Sequence, residues 1–313
     1  MSLAENIKNR RLELGLSQQE LADAMGYKSR STIAKIEAGE NSVPAKKIKK
    51  FAAVMNTTEA YLKTGVPPQA PGNWPVEAKE IGAQAPRTIA VVLAGGRSTR
   101  NLQNIPNQFI NILGKPVIIY TLEPYQRHPS IDDIYVVCLK GWDTIVSDYA
   151  RQYRIDKLRG IIPAGETGAL SAMQGMLALD CKDGDTIVFQ ESTRPLITEE
   201  IISKLLHAYQ GAGVVCEPMD DHVQFLVDGS EKKYISREKL YALQSPEAYD
   251  YRVLKEAYDK AVSTGHQMDE TCCSMLMYHL GYDLHLIEGN HNNIKAVRQE
   301  DIAILNALLK SRG

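Results

Sequence analysis

The sequence predicts two domains of different fold class, a small all-α bundle followed by a larger α/β domain with a mostly parallel sheet. Residues 1–65 contain only helical patterns, whereas residues 88–313 alternate aliphatic runs with helical stretches. Between them, residues 66–87 carry four prolines within nine positions, which neither a helix nor a central strand accommodates. We therefore predict a semi-rigid linker there. A length of 313 residues also suits two hydrophobic cores better than one.

Composition and charge narrow the class of protein. The chain is 44% hydrophobic and 24% charged, and no apolar run approaches the roughly 18 residues that cross a bilayer. The start lacks the features of a signal peptide, so we expect a cytoplasmic protein without membrane contact. Five cysteines without a CxxC pair indicate reduced thiols. Residues 1–65 carry a net charge of +4 and the remainder −6, so nucleic-acid contact is expected of the N-terminal domain.

Polar caps and glycines mark five short helices in the first domain. The string Ser17-Gln18-Gln19-Glu20 is a capping box that opens the second helix, and Ser29 opens the third after a three-residue turn. The remaining boundaries are the break at Gly15, the stops at Gly26 and Gly39, the start at Pro44, and the cap Thr57-Thr58-Glu59. Two helices joined by such a turn can place the second one in the major groove of DNA.

The strings Leu16-Ser17-Gln18-Gln19-Glu20-Leu21-Ala22 and Ser31-Thr32-Ile33-Ala34-Lys35-Ile36-Glu37-Ala38-Gly39 resemble the phage-repressor-like (Xre) helix-turn-helix family. The resemblance covers residues 3–65 and implies binding to a DNA operator. On the third helix we expect three side chains to face the groove, Arg30, Ser31 and Lys35, with Gln18 and Lys28 on phosphate. The lysines at 46, 47, 49 and 50 add phosphate-neutralising charge or form a solvated face. A dimerisation or protein-contact module is the alternative.

Strands and helices alternate in the second domain. Strands are predicted at 88–93, 134–139, 186–189 and 213–216, with helices at 118–126, 142–153, 171–179 and 199–210. The first strand runs into the glycine-rich turn Ala94-Gly95-Gly96-Arg97-Ser98. A turn of this kind at the end of a leading strand allows nucleotide phosphates to approach the backbone.

The second domain resembles the cytidylyltransferases that make CDP-methylerythritol or CDP-ribitol, which have a Rossmann-like fold. The resemblance runs along residues 88–310 and rests on motifs that occur in the family's order. These are Leu93 to Arg100, Ile105-Pro106-Asn107-Gln108-Phe109, Leu113 to Ile118, His128-Pro129-Ser130-Ile131, Gly165-Glu166-Thr167, Glu191-Ser192-Thr193-Arg194-Pro195, Gln244-Ser245-Pro246-Glu247, Met268-Asp269-Glu270-Thr271 and Asn293-Ile294-Lys295.

The resemblance implies that a substrate phosphate attacks the α-phosphate of CTP and releases pyrophosphate, with Mg²⁺ and cationic side chains neutralising charge. Arg100 would contact the triphosphate and Lys295 would stabilise the transition state. The residues expected to bind nucleotide are Ala94, Gly95, Gly96, Arg97, Ser98, Gly165 and Ser171. Those expected near a polyol phosphate are Arg194, Ser245 and Lys260. Glu191 would hold the metal, and an arm around Met219–Ser245 would exchange between the subunits of a homodimer.

Four positions depart from the family pattern, and this leaves the function open. Asn107 stands where the family has a lysine, Glu191 where it has an aspartate, Gly168 where it has an arginine, and Ser98 where it has a glycine. Arg97 would return part of the lost positive charge. Three readings remain: a transcription regulator that binds CTP, a CDP-alcohol or a polyol phosphate without turnover, an active cytidylyltransferase with a DNA-binding domain, and a scaffold that binds neither.

Overall fold

The computed structural model describes residues 3–13, 17–27, 29–55, 62, 85–97, 105–219 and 224–311. The chain divides into two compact units, residues 1–73 and residues 74–313, called here the N-terminal and C-terminal units. Within the described residues, no helix is both long enough and apolar enough to span a membrane.

Four helices of the N-terminal unit enclose a small apolar core. They are α1 (Leu3–Glu13), α2 (Gln18–Met25), α3 (Arg30–Glu37) and α4 (Ala45–Val54). The core contains Ile7, Leu21, Ala22, Met25, Ile33, Ile36, Ile48, Phe51, Ala52, Met55 and Leu62. Leu62 is helical, whereas most of the predicted fifth helix lies outside the described residues.

The predicted capping box is confirmed. The backbone N–H of Glu20 donates to the Ser17 hydroxyl (3.2 Å), and the backbone N–H of Ser17 donates to the Glu20 carboxylate (2.7 Å). Helix α2 ends at Gly26, whose φ of 75° lies in the left-handed region that glycine adopts without strain. The Ser29 hydroxyl then accepts from the N–H of Ser31 and opens α3. Local sequence therefore sets both ends of the turn between α2 and α3.

The C-terminal unit is built on a seven-stranded sheet, which contains the four predicted strands and three that were not predicted. Its strands, in chain order, are β1 (Thr88–Ala94), β4 (Asp133–Cys138), β5 (Leu158–Pro163), β6 (Thr186–Glu191), β7 (Ala212–Pro218), β10 (Tyr241–Asp250) and β11 (His285–Glu288). Two short antiparallel pairs lie outside this sheet: β2 (Asn111–Ile112) with β3 (Lys115–Pro116), and β8 (Gln224–Asp228) with β9 (Glu231–Ile235).

The large sheet has the order β11-β7-β10-β6-β1-β4-β5. Every neighbouring pair is parallel except the two that involve β10, which runs antiparallel to both β6 and β7. Among the described residues of this unit, six α-helices lie between strands, and a seventh follows the last strand. They are α5 (Val117–Arg127), α6 (Asp143–Gln152), α7 (Gly168–Leu177), α8 (Glu199–Ala208), α9 (Tyr251–Thr264), α10 (Cys273–His279) and, after β11, α11 (Gln299–Ser311). The prediction of a mostly parallel α/β sheet is thus confirmed.

Alternation along β1 distributes its side chains between two cores. Ala90 and Val92 pack with residues of α5, α6 and α8, whereas Ile89 and Val91 pack with residues of α7, α9 and α10. Helices therefore cover both faces of the sheet, and β1, with five of its seven residues buried, has a continuous aliphatic sequence after Thr88. The carboxyl ends of β1 and β6 are left open between these two layers.

Candidate functional site

A cavity of about 460 Å³ lies at the carboxyl ends of β1 and β6. Such an edge is where open α/β sheets bind ligands. Its wall contains Leu93, Gly95, Gly96, Arg97, Asn107, Gln108, Gly165, Glu166, Thr167, Gly168, Ser171, Phe189, Glu191, Ser192, Thr193, Ser245, Glu247, Thr271, Cys272, Lys295, Ala296 and Val297. A second cavity of about 240 Å³ shares part of this wall.

The glycine-rich turn after β1 is held from below by Gln108. Its side-chain amide donates to the carbonyls of Ala94 (2.8 Å) and Gly96 (2.9 Å). A Cβ at Gly95 would lie 2.4 Å from the Cβ of Ala164, so only glycine fits there. Sequence reasoning quoted Gln108 as part of a motif without assigning it this role.

The opposite wall is the first turn of α7. Thr167 caps this helix, accepting from the N–H of Leu170 (3.0 Å), and its own hydroxyl donates to the carbonyl of Met268 (2.7 Å). A Cβ at Gly168 would lie only 1.8 Å from the carbonyl oxygen of Thr271, so the loop packs directly on the glycine backbone. The N–H groups of Ala169, Leu170 and Ser171 already donate to carbonyl or hydroxyl oxygens of the protein, so this turn favours an anion through the positive end of its helix dipole.

Three charged side chains meet where the two cavities join. The Glu191 carboxylate accepts from the Lys295 ammonium through one oxygen and from Arg194 Nε (2.7 Å) through the other. Burial alone would raise the pKa of Glu191, but the charges of Lys295 and Arg194 outweigh burial and lower it. Glu191 is therefore ionised at neutral pH. Arg194 also donates to the carbonyl of Asn293 (2.7 Å), which anchors it.

Asn107 closes the cavity near Lys295. Its side chain is buried, and its amide donates to the carbonyls of Ala296 (3.1 Å) and Val297 (3.0 Å). This residue thus fixes the backbone immediately after Lys295.

A second carboxylate, that of Glu247, lines both cavities and is 5% exposed. It accepts from the Tyr249 hydroxyl (2.9 Å) and from the N–H of Ser274 (2.8 Å). Burial is the main cause that raises the pKa of Glu247. Sequence reasoning did not single out this acid, because nothing in its local pattern signals burial beside a cavity.

Most of the predicted ligand-binding residues gather at the first cavity, whose wall includes Gly95, Gly96, Arg97, Gly165, Ser171, Glu191, Ser245 and Lys295. Arg194 lines the second cavity. Ala94 is buried at the end of β1, and Lys260 donates to the carbonyl of Leu280 (2.6 Å) and is not in either wall. Ser98 and Arg100 lie outside the described residues. The roles of these residues stay predictions.

On the N-terminal unit, Arg30, Ser31 and Lys35 are exposed on α3. Gln18 is half-buried, and its amide donates to the Glu37 carboxylate (2.9 Å), while Lys28 lies outside the described residues.

Beneath α3, Glu37 accepts two hydrogen bonds from the Arg11 guanidinium, at 2.6 Å and 3.0 Å, and both side chains are buried. The hydrogen bond with Glu37 is the main cause that raises the pKa of Arg11. Sequence reasoning did not identify this pair, which ties α1 to α3.

Comparison with known proteins matches both units. A family model of 2-C-methyl-D-erythritol 4-phosphate cytidylyltransferase matches residues 88–311, and a helix-turn-helix family model matches residues 7–62. A ribitol-5-phosphate cytidylyltransferase of Lacticaseibacillus paracasei is 35% identical over 229 residues, which cover 71% of this chain and 98% of the relative. A 2-C-methyl-D-erythritol 4-phosphate cytidylyltransferase of Clostridium novyi is 30% identical, covering 72% of this chain and 97% of the relative.

The fold is also found among solved structures. The crystal structure of 4-diphosphocytidyl-2C-methyl-D-erythritol synthase from Anaerococcus prevotii matches with a TM-score of 0.61 at 24% identity. The match covers 72% of this chain and 99% of that one, and at this identity it establishes the shared fold.

Proposed function

Since the chain belongs to the 2-C-methyl-D-erythritol 4-phosphate cytidylyltransferase family and carries an N-terminal helix-turn-helix domain, we propose that it is a DNA-binding transcription regulator whose C-terminal unit binds a cytidine nucleotide and a phosphorylated alcohol. Binding of the ligand changes the affinity of the N-terminal domain for its operator. Substitutions at the site make turnover slow. Two relatives are named for ribitol-5-phosphate or 2-C-methyl-D-erythritol 4-phosphate, which supports a phosphorylated polyol as the alcohol ligand.

The observation that carries the proposal is the position of Lys295 in the shared wall of two adjoining cavities. The larger one has the glycine-rich turn and the N-terminus of α7 in its wall, which suits a triphosphate. The smaller one has Arg194 in its wall, which suits a second phosphate. A nucleotide in one cavity and an alcohol phosphate in the other would therefore meet at the Lys295 ammonium.

The site also fits Mg²⁺. Glu191 is an ionised carboxylate on the wall of both cavities, and Mg²⁺ in proteins is commonly held by one or two carboxylates together with substrate phosphates. When bound, the metal neutralises phosphate charge. Each oxygen of Glu191 accepts from one cation and keeps a second lone pair, so Glu191 would hold the metal beside Lys295 and Arg194.

A homodimer is part of the proposal. The arm carries β8 and β9, which pair with each other outside the main sheet. Its large apolar side chains Phe225, Leu226, Val227 and Tyr234 are each more than half exposed. Exposed apolar surface of this kind marks a protein interface. A two-fold dimer would also present two copies of α3 to paired operator half-sites about 34 Å apart.

Calorimetry with CTP, with and without Mg²⁺, together with operator gel shifts, tests the regulator. We expect CTP to bind, and to change operator affinity, while pyrophosphate release with ribitol 5-phosphate or methylerythritol phosphate stays at trace level. No heat with cytidine nucleotides contradicts ligand binding. Robust pyrophosphate release contradicts a regulator without turnover.

A working cytidylyltransferase is the second candidate, and the retained Lys295 at the junction of the cavities favours it. The variant Asn107→Lys tests whether a missing positive charge is what distinguishes the regulator from a working enzyme. If a missing cation limits the reaction, the lysine raises pyrophosphate release; removing one such contact commonly costs roughly 10²–10³ in rate. Asn107→Ala is the control, because it removes the hydrogen bonds to Ala296 and Val297 without adding charge.

A further inference from the structure

A cluster of two histidines and one glutamate lies on the C-terminal unit outside both cavities. His266 follows the C-cap of α9, Glu270 lies in the loop that leads to α10, and His279 is the last residue of α10. One potential ligand atom from each residue lies within 4.8 Å of the other two. Among the described residues this is the one group of three or more His, Cys, Asp or Glu side chains so arranged.

Only one oxygen of the Glu270 carboxylate contacts the two histidines. One oxygen, Oε1, lies 2.6 Å from His266 Nε2 and 2.9 Å from His279 Nδ1. The other oxygen, Oε2, is buried and has no hydrogen-bond partner among the described residues. The Glu270 side chain is only 2% exposed, so this oxygen is shielded from bulk solvent. A buried polar atom without a partner carries a desolvation cost that a ligand would relieve.

A metal ion could reach the cluster from solvent. The side chains of His266 and His279 are 30% and 48% exposed, so both imidazoles border solvent while the glutamate lies beneath them. The Glu270 carboxylate oxygen on which both imidazoles converge is thus placed to act as a ligand together with them.

We propose that His266, Glu270 and His279 form a binding site for Zn²⁺, with water as a fourth ligand. Two imidazole nitrogens and one carboxylate oxygen are a donor set that zinc accepts, once each imidazole carries its proton on the other ring nitrogen and the ligating nitrogen offers its lone pair. Zinc bonds of about 2.0–2.2 Å in a tetrahedron require ligand atoms a little farther apart than the present hydrogen bonds. The half-exposed imidazoles can supply this small displacement, since rotation of a surface side chain disturbs little packing.

The site would stiffen the wall of the first cavity. The segment that carries Glu270 continues into Thr271 and Cys272, both in that wall. The carbonyl of Glu270 accepts from the N–H of Ala169 (3.0 Å) in the first turn of α7. A metal that fixes Glu270 thereby fixes the backbone against which α7 begins. The role is structural, and it does not depend on whether the cavity binds a nucleotide.

Calorimetric titration of the untagged, chelator-treated chain with ZnCl₂ tests the site. We expect one zinc ion per chain, and at least about tenfold weaker binding in His279→Ala and in His266→Ala, since even groups that only support a ligand commonly contribute 10–100-fold. The control is His291→Ala. His291 forms a comparable pair with Glu217 (2.7 Å) but belongs to no three-residue group in the described part of the chain.

Two further readouts keep the result decisive. Co²⁺ in place of zinc should give the visible absorption of a tetrahedral site in the wild type and the His291→Ala variant, and lose it in His279→Ala. Amide exchange over residues 266–280 should slow with zinc in the wild type and in His291→Ala, and stay unchanged in His279→Ala. Absence of zinc binding by the folded wild type overturns the proposal. So does an affinity that His279→Ala and His266→Ala leave unchanged, because the metal would then be bound elsewhere.

Discussion

Because Glu191 contacts two cations, we expect Glu191→Gln to lower the free energy of unfolding of the C-terminal unit. Glutamine keeps the shape but removes the charge: its one amide oxygen can accept from one of the two cations, whereas its NH₂ group is a donor that faces the other, so both ion pairs and one hydrogen bond are lost. The Lys295 side chain is 44% exposed and its share is screened by solvent, whereas the Arg194 side chain is only 10% exposed. We therefore expect a loss of about 1–2 kcal/mol at pH 7, mostly from Arg194, since charge-assisted bonds exceed neutral ones by about that amount.

The effect should depend on pH with a defined sign. The pKa of Glu191 is lower in the folded chain than its ordinary value, so the folded state binds protons less readily than the unfolded one. Its contribution to stability is thus complete above the unfolded pKa of about 4.3 and declines as pH falls through the folded pKa. The difference between wild type and Glu191→Gln should shrink below pH of about 4.3 and vanish in stronger acid.

Urea denaturation followed by tryptophan fluorescence measures this difference. Trp142 stacks on Phe109 at 4.2 Å and reports on the C-terminal unit, so Trp74→Phe gives a suitable background. Glu199→Gln is the matched control. Glu199 pairs with Arg127 at the surface, where loss of a pair costs at most about 1 kcal/mol. Equal stability of wild type and Glu191→Gln at pH 7, or a difference that persists in strong acid, would refute the reasoning.

Three other substitutions probe the remaining sites. Gly168→Ala should destabilise the C-terminal unit by about 1–3 kcal/mol, because the new Cβ meets the Thr271 carbonyl; thermal melting checks this. Glu37→Ala should cost the N-terminal unit about 3–5 kcal/mol, since it removes the buried carboxylate that accepts two hydrogen bonds from the Arg11 guanidinium; an unchanged urea midpoint contradicts it. Arg30→Ala should leave stability unchanged and weaken operator binding by about 1–3 kcal/mol if Arg30 contacts guanine, as gel shifts would reveal.

Local patterns predicted the elements that depend on local physics. The aliphatic run at β1, the capping box of Ser17 and Glu20, and the glycine stop at Gly26 all occur as expected. The less apolar strands were not predicted from the sequence. Strand β5 has the sequence Leu-Arg-Gly-Ile-Ile-Pro with one fully buried residue, and β10 mixes polar with apolar residues, so neither stands out as an aliphatic run.

The site was harder to predict, because its contacts join distant parts of the chain. The family motifs predicted that Gly95, Glu191 and Lys295 belong to one site, and all three line the first cavity. Hydrophobic periodicity alone would not have predicted this. The hydrogen bonds of Asn107 with Ala296 and of Arg11 with Glu37 depend on tertiary packing that no local pattern encodes. The cluster of His266, Glu270 and His279 was not predicted, because it too depends on tertiary packing.

The amide of Asn107 reaches across 189 positions of sequence to the carbonyl of Ala296. One side of the first cavity is thus made near the beginning of the C-terminal unit's synthesis and the other about 190 residues later. In a nascent chain whose residue 297 is still inside the ribosome, Asn107 has no carbonyl of Ala296 or Val297 to bind, and Lys295 is absent from the wall. If this cavity binds a ligand as proposed, binding should consequently begin only after that segment has emerged.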